Sequence, residues 1–174
     1  MTVDTTITLL PDAEPLITLA YADALDLLLK PGWSIELVDM VLHEVTRSVT
    51  PTSERIAAWV RDHSVPTIET NIYRHYTLSK MATTPARKTN LGELSVQEAM
   101  SGFGLAAERT GVFLFEDHKI ARASFLLPDN CRKVSTRAFL TFLEQQGQIE
   151  SAADIERRAI LAGRHFSRLR FPPE

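Results

Sequence analysis

The chain has 174 residues, 44% of them hydrophobic and 24% charged, with a formal net charge of −3. That length suits one domain with a substantial core, and the weak negative charge excludes a cationic field over the whole molecule, so any nucleic-acid binding requires a local basic patch. One cysteine, Cys131, excludes an internal disulfide, and no apolar run approaches the roughly 20 residues that span a membrane. We therefore expect a cytoplasmic protein with no membrane segment and no secretory leader.

The first part of the chain is predicted to alternate strands and helices. An apolar strand over Ile7–Leu10 leads to Asp12 at its carboxyl end, and a helical segment with breaks follows. A second strand over Ser34–Val38 leads into a helix with Glu44 on its first or second turn. Asp39 is placed to cap this helix.

A short edge strand is predicted at Val65–Thr70, which contains a proline, and the composition of the chain changes after it. The segment Asn71–Gly92 contains basic residues, a histidine and two interleaved tyrosines but no acid. An exposed loop is the plainest interpretation of such a segment. A long amphipathic helix is then predicted from Glu93 to about Arg109, closed by Gly111, with Leu94, Met100, Phe103 and Ala107 facing inward.

The stretch Gly111–Phe115 is an uncharged run rich in Val and Phe, typical of a buried strand in a parallel sheet. Glu116 and Asp117 follow it directly, and a helix is predicted over Ala121–Leu127. A last edge strand at Lys133–Val134 and two further helices complete the chain; the helices are predicted over Ser135–Gln146 and from Ala152, with Ser151 as its cap, to Phe166.

This alternation predicts a three-layer α/β/α fold with a central, mostly parallel, five-stranded sheet. We predict one α/β domain over residues 1–150. The arginine-rich helix of residues 151–174 is expected to be appended to that domain.

Four acids share one pattern in this scheme. Asp12 and Asp117 each follow an apolar strand, whereas Glu44 and Glu93 each lie near the beginning of a helix. If the strands are neighbours, all four side chains can meet at the carboxyl edge of the sheet, where open α/β sheets bind ligands. Clustered carboxylates repel one another unless a cation is present, and Mg²⁺ or Mn²⁺ prefers such oxygen ligands. A metal held there suits phosphodiester hydrolysis.

Simpler explanations exist for each acid alone. An aspartate after a strand often caps the next helix, and a first-turn glutamate is favoured by the helix dipole. The spacing leaves both interpretations open. The chain has no GxxxxGK[ST], GxGxxG, GxSxG or HExxH motif, so the NTPase, Rossmann, α/β-hydrolase and zinc-protease classes lack their signatures.

Five segments, in this order, resemble the PIN domain family, which includes the VapC-type toxin ribonucleases. They are LPDAEPLITLA at 10–20, VLHEV at 41–45, the GE pair at 92–93, FLFEDHKIARA at 113–123, and the stretch 134–149 that ends in QGQI. The GE pair resembles the variant of one branch, in which other members carry Asp. The resemblance covers roughly residues 5–150.

The resemblance implies catalytic and metal-binding roles for Asp12, Glu44, Glu93 and Asp117, with Glu116 as a possible fifth ligand of Mg²⁺ or Mn²⁺. It implies a metal-dependent endoribonuclease, the toxin of a toxin–antitoxin pair, with an antitoxin protein as partner and a homodimer as the usual state.

Three functions follow as hypotheses. The first is this ribonuclease, with RNA-backbone contacts from Arg74, Arg87, Lys88, Lys119 and Arg122, and with Tyr73 or Tyr76 stacking a base. The second is a catalytically silent PIN-like module that binds RNA or a protein. The third, a small phosphatase or receiver-like domain with one nucleophilic Asp, lacks a DxD motif.

Overall fold

The computed structural model describes residues 5–81, 91–116 and 127–165. The strands are β1 (Thr6–Pro11), β2 (Ser34–Ile35), β3 (Leu37–Val38), β4 (Thr67–Ile68), β5 (Arg109–Phe115) and β6 (Cys131–Ser135). The α-helices are α1 (Ala13–Tyr21), α2 (Asp39–Thr46), α3 (Pro51–Asp62), α4 (Asn71–Lys80), α5 (Leu91–Phe103), α6 (Thr136–Gln145) and α7 (Ala152–Leu161). A 3₁₀ helix covers Leu25–Leu29 and is separated from α1 by residues 22–24, in the segment that was predicted to be helical with breaks.

The central sheet is parallel, with the strand order β2-β1-β5-β6. In its register, Pro11 at the end of β1 is paired with Leu114 of β5, and Phe115 is paired with Ser135 of β6. Leu10, Phe113 and Leu114 are almost completely buried because helices flank the sheet. The predicted α/β class is confirmed.

The strand predicted over Ser34–Val38 is divided at Glu36. Its first half pairs with β1, whereas its second half leaves the sheet and pairs with β4. The Glu36 N–H still donates to Leu9 O at 3.1 Å, but the Leu37 N–H donates to Pro66 O at 2.9 Å. Among the described residues the central sheet therefore has four strands rather than five, with a two-stranded sheet beside it.

Helix α5 ends earlier than its sequence pattern predicts. It stops at Phe103, and Gly111 lies within β5 instead of closing the helix. The side-chain amide of Asn130 fixes the turn between them, because it donates to the carbonyls of Phe103 at 2.7 Å, Ala106 at 3.1 Å and Arg109 at 2.7 Å.

Close packing explains the glycine in β5. A Cβ atom at Gly111 would lie 3.2 Å from Cys131 Sγ and 3.3 Å from the Phe103 ring. On α5 itself, Met100 and Phe103 are buried as predicted, but Leu94 is 45% exposed. The inward placement of Ala107, which lies beyond the helix and is exposed, is also wrong.

The basic segment begins as a helix, so the interpretation of this part as an exposed loop is wrong. Thr70 caps α4 by accepting a hydrogen bond from the Tyr73 N–H at 3.1 Å. Asp39 is not the cap of α2 but its first residue. Its carboxylate accepts hydrogen bonds from the N–H and the hydroxyl of Thr70, each at 2.7 Å, and so joins α2 to α4.

The last elements are present, but the helices are shorter than predicted: Ser135 precedes α6 instead of beginning it, and α7 ends at Leu161 rather than Phe166. The edge strand β6 is present, and the hydroxyls of Ser135 and Ser151 cap α6 and α7. Arg158 of α7 donates to Ala22 O beyond the end of α1, so α7 is held against that helix. The helix predicted from Ala121 lies outside the described residues apart from Leu127. None of the helices in the described parts of the chain is long and apolar enough to cross a bilayer.

Candidate metal centre

Asp12 lies where β1 and β5 end side by side. Its N–H donates to Leu114 O at 2.9 Å, which continues the ladder between the two strands, and the residue is 7% exposed. It occupies the N-cap position of α1, but its side chain forms no capping hydrogen bond to the first turn. The carboxylate instead accepts from the N–H of the next residue, Ala13. Ordinary helix capping therefore does not explain Asp12.

The environment of Asp12 disfavours a negative charge. Burial raises the pKa of its carboxyl to about 7, and the hydrogen bond from Ala13 only partly opposes this effect. The carboxylates of Glu44, Glu14 and Glu93 raise the pKa further. Acids from three different helices thus act on one buried carboxyl at the carboxyl edge of the sheet.

Glu44 is on the second turn of α2, as predicted, and its carboxylate lies against the backbone of Gly92. A Cβ atom on Gly92 would be 2.8 Å from Oε2 of Glu44 and 3.0 Å from its Oε1. Burial raises the pKa of Glu44, whereas Arg47 and the N–H of Gly92 lower it and Glu93 raises it. The glycine at 92 therefore lets the start of α5, with Glu93, approach Glu44.

Glu116 directly follows β5 and belongs to a second group of contacts. Its Oε2 accepts a hydrogen bond from the Thr18 hydroxyl at 2.9 Å, while within the described residues its buried Oε1 has no hydrogen-bond partner. Burial raises the pKa of this carboxyl to about 7, against the lowering effects of Thr18, Arg164 and Thr136. Glu14 raises it slightly and connects the two groups, because the same side chain acts on Asp12.

Arg164, just beyond α7, reaches this site from the other end of the chain. Its guanidinium forms ion pairs with Glu14 and, at 3.5 Å, with Glu116, and its Nε donates to the Thr18 hydroxyl at 3.0 Å. The side chain is only 11% exposed. Sequence reasoning treated the C-terminal arginines as a separate feature and missed this contact, because nothing in local spacing connects positions 14, 116 and 164.

Three of the four predicted acids, Asp12, Glu44 and Glu93, lie close enough to act on one another electrostatically. Glu14, which is not among the predicted site residues, acts on both Asp12 and Glu116; its one signal was its place in the first turn after Asp12. The fourth acid, Asp117, lies outside the described residues. Of the predicted RNA contacts, Arg74 is exposed on α4, and the others also lie outside the described residues: Arg87, Lys88, Lys119 and Arg122.

These donors have the chemistry that a hard divalent cation requires, because all are carboxylate oxygens and the most buried one is destabilised by its acidic neighbours. In the described ranges, no three of these side chains already stand at metal-binding distances from a common point. The residues present fit a magnesium or manganese ion by donor type and charge.

Comparison with known proteins identifies the fold. No protein-family model matches the chain, and no curated protein matches it by sequence. The solved structure of the T. brucei RRP44 PIN domain superimposes with a TM-score of 0.50 and 14% sequence identity, over 91% of this chain and 88% of that one. The chain therefore has a PIN-domain fold, as the sequence resemblance predicted. Identity this low shows the fold alone, so assignment to the VapC branch stays a prediction.

Proposed function

We propose that this protein is a Mg²⁺- or Mn²⁺-dependent ribonuclease that hydrolyses RNA phosphodiester bonds. The observation that carries the proposal is the environment of Asp12. Its carboxyl is buried at the end of a central strand and has a pKa of about 7, raised by burial and by the negative charges of three other acids. Such a cluster costs folding free energy in the absence of a cation, and a bound divalent ion offsets that cost.

In this proposal Asp12, Glu44, Glu93 and Asp117 hold the metal, and Glu116 is a fifth candidate. When bound, the ion supplies a polarised phosphoryl oxygen and a water of lowered pKa. The chain's own contribution is placement: β1 fixes Asp12, and the close approach of α5 at Gly92 fixes Glu44. Thr18 holds Glu116 through its hydroxyl.

RNA binding requires local positive charge because the chain as a whole is weakly acidic. We assign backbone contacts to the exposed Arg74 on α4 and to the other basic residues selected from the sequence, namely Arg87, Lys88, Lys119 and Arg122.

A role as the toxin of a toxin–antitoxin pair is the finer form of this proposal. It is supported by the order of the five sequence segments that resemble the family, including the GE pair at 92–93, which resembles the variant of one branch. The corresponding partners are an antitoxin protein and a second copy of the chain. Copurification with the product of a neighbouring gene, and the mass of the purified protein in solution, test them.

Asp12→Asn tests the mechanism because it removes one ligand charge while preserving side-chain shape. We expect Mg²⁺-dependent cleavage of a single-stranded RNA to fall at least 100-fold, as for loss of a group that catalysis requires. The matched control is Asp23→Asn, at an exposed position with φ of 53° that Asn also tolerates. The control should cleave like the parent protein.

Calorimetric titration with Mn²⁺ separates the enzyme from its alternative. Binding that Asp12→Asn abolishes and Asp23→Asn preserves supports the nuclease. Unimpaired cleavage by Asp12→Asn contradicts the mechanism. No divalent binding at millimolar concentration favours a catalytically silent PIN-like module that binds RNA or a protein.

A further inference from the structure

Three aromatic rings lie together beside the acidic site, on α2 and α4. His43 is in contact with both tyrosines of α4, with ring centroids 5.6 Å from Tyr73 and 5.3 Å from Tyr76. The two tyrosine rings are themselves 6.3 Å apart and inclined by only 30°. The ammonium group of Lys80 lies over the Tyr76 ring at 4.7 Å. We call these four residues the aromatic platform.

The platform is not part of the hydrophobic core. Helix α4 has no fully buried residue, and both tyrosines are half-buried, so part of each ring is open to solvent. The helix is held by polar contacts at its start instead: Thr70 is bonded to Asp39, and the Asn71 N–H donates to Glu98 at 2.7 Å. Core packing therefore does not account for this concentration of rings.

The charge around the platform is positive. Helix α4 contains Arg74, His75 and Lys80 and no acid, in a chain whose net charge is −3. The Lys80 ammonium lies over the Tyr76 ring, and the Arg47 N–H donates to His43 O at 2.9 Å, so Arg47 lies one helical turn after His43. Both cations therefore lie at the ends of the two helices that carry the rings.

We propose that the aromatic platform binds single-stranded nucleic acid, with bases stacked on Tyr73 and Tyr76 and phosphates held by Lys80, Arg47 and Arg74. Half-buried aromatic rings beside cations have the chemistry that a single-stranded nucleic acid requires, because every base has a face to stack and every nucleotide has a charge. His43 and Glu44 are consecutive residues of α2, so the platform adjoins the acidic site. A nucleic-acid strand bound on the platform can therefore extend to these acids. For that location the proposal rests on the proposed nuclease function.

Binding can be measured without cleavage. The full-length protein is titrated into a fluorescent single-stranded RNA of about 12 nucleotides, within the range that such surfaces cover, in EDTA. We expect Tyr76→Ala to weaken binding roughly 5- to 100-fold, the loss of one stacked base. Tyr76→Phe, which keeps the ring, should restore it. Lys80→Gln should weaken binding and reduce the salt slope by about 0.7.

Leu78→Ala is the matched control on the same helix, because Leu78 is 59% exposed and apolar. It should bind RNA like the parent protein, and thermal melting should show that each variant folds. Equal binding by Tyr76→Ala and the parent overturns the proposal. So does a loss in Leu78→Ala as large as in Tyr76→Ala, which indicates a general apolar surface suited to a protein partner.

Two further probes define the ligand. A single-stranded DNA of the same sequence that competes with the RNA supports recognition by base stacking. If that DNA does not compete, the 2′-hydroxyls of the RNA carry the affinity, which contradicts recognition by base stacking. Duplex RNA that binds as tightly as the single strand overturns the proposal. Asp12→Asn separates the two hypotheses: unimpaired cleavage there refutes catalysis at the Asp12 site, whereas the binding losses at Tyr76 still support the platform.

Discussion

At the scale of single residues, Asp12 and Glu116 are two buried carboxyls in the same state. Burial raises the pKa of each to about 7, although their neighbours differ. Neighbouring acids raise the pKa of Asp12 further, whereas the Thr18 hydroxyl and the Arg164 guanidinium partly offset the rise in the pKa of Glu116. Both side chains are therefore largely protonated in the folded, metal-free protein below neutral pH.

This state makes the stability of the metal-free protein depend on pH. The ordinary pKa values are 3.8 for Asp12 and 4.5 for Glu116, so between these values and about 7 the folded state binds more protons than the unfolded state. The free energy of unfolding then falls as pH rises, by at most about 1.4 kcal/mol per pH unit for each group. The stabilising effect is complete below the unfolded pKa and lost as pH passes the folded one.

We predict that denaturant unfolding in EDTA shows a decrease in stability from about pH 5 to pH 7.5, the window given by these pKa shifts. Asp12→Asn and Glu116→Gln, which cannot ionise, should each flatten the curve and be more stable than the parent at the upper end. Glu69→Gln, at an exposed position, should leave the curve unchanged. A parent curve that rises over this range contradicts the assigned pKa directions.

At the scale of secondary structure, the contact between α5 and α2 determines where Glu44 lies. Helix α5 contains two glycines in different surroundings. A Cβ at Gly92 would lie 2.8 Å from the Glu44 carboxylate, whereas a Cβ at Gly102 would meet nothing within 4 Å. Gly92 is the second residue of α5, and the absence of a Cβ there leaves room for the Glu44 carboxylate.

Gly92→Ala should therefore displace Glu44 and weaken Mn²⁺ binding about 10-fold, a typical effect of disturbing a group that positions a ligand. The fold should persist, since the atoms approached are the far end of a flexible side chain. Gly102→Ala is the matched substitution on the same helix and should stabilise the protein by about 0.5–1 kcal/mol with unchanged binding. Calorimetry and thermal melting measure both effects; equal Mn²⁺ affinity in the two variants would show that Gly92 does not position Glu44.

At the scale of the whole molecule, the C-terminal part of the described chain reaches the acidic site. Arg164 joins Glu14 and Glu116, and Arg158 and Arg137 hold α7 to the domain; Arg137 pairs with Glu156 at 2.8 and 2.9 Å. Because Arg164 lies beyond the segments that resemble the PIN family, the C-terminal helix contributes a cation to a site whose acids come from the rest of the fold.

Arg164→Gln should lower stability by about 2 kcal/mol at pH 8, because it removes charged hydrogen bonds from largely buried groups. The loss of stability should be smaller at pH 5, because Glu116 is then mostly protonated and carries little negative charge beside the guanidinium. Arg157→Gln, which breaks the exposed pair with Asp154 in α7, should cost under about 1 kcal/mol at either pH. Equal losses at both pH values for Arg164→Gln contradict this role.

The sequence was sufficient where the signal is local. An apolar run followed by an acid predicted β1 with Asp12, and a serine before a helical stretch predicted the cap of α7 at Ser151. Glu44 was predicted on the first or second turn of a helix and lies on the second turn of α2. These features depend on backbone periodicity and on hydrogen bonds within a few residues, which short stretches of sequence determine.

Local patterns failed where a distant contact decided the outcome. Helix α5 ends at Phe103 because Asn130 holds the following turn, and Gly111 is required by the packing of Cys131 rather than by a helix end. The predicted second strand divides at Glu36 because its second half finds β4. The helix and strand propensities of a short stretch do not identify such partners, since they lie about 20 to 30 residues away in the chain.

The sequence by itself determined the α/β alternation, the order of the elements and which residue types could form an acidic site. The tertiary structure alone decided that Asp12, Glu44 and Glu93 act on one another, that Glu14 joins them, and that Arg164 faces Glu116. The physical reason is that charge interactions and burial depend on distance through space. A residue's own neighbours in the chain specify its backbone, but the fold as a whole sets the dielectric and the charges that its carboxyl meets.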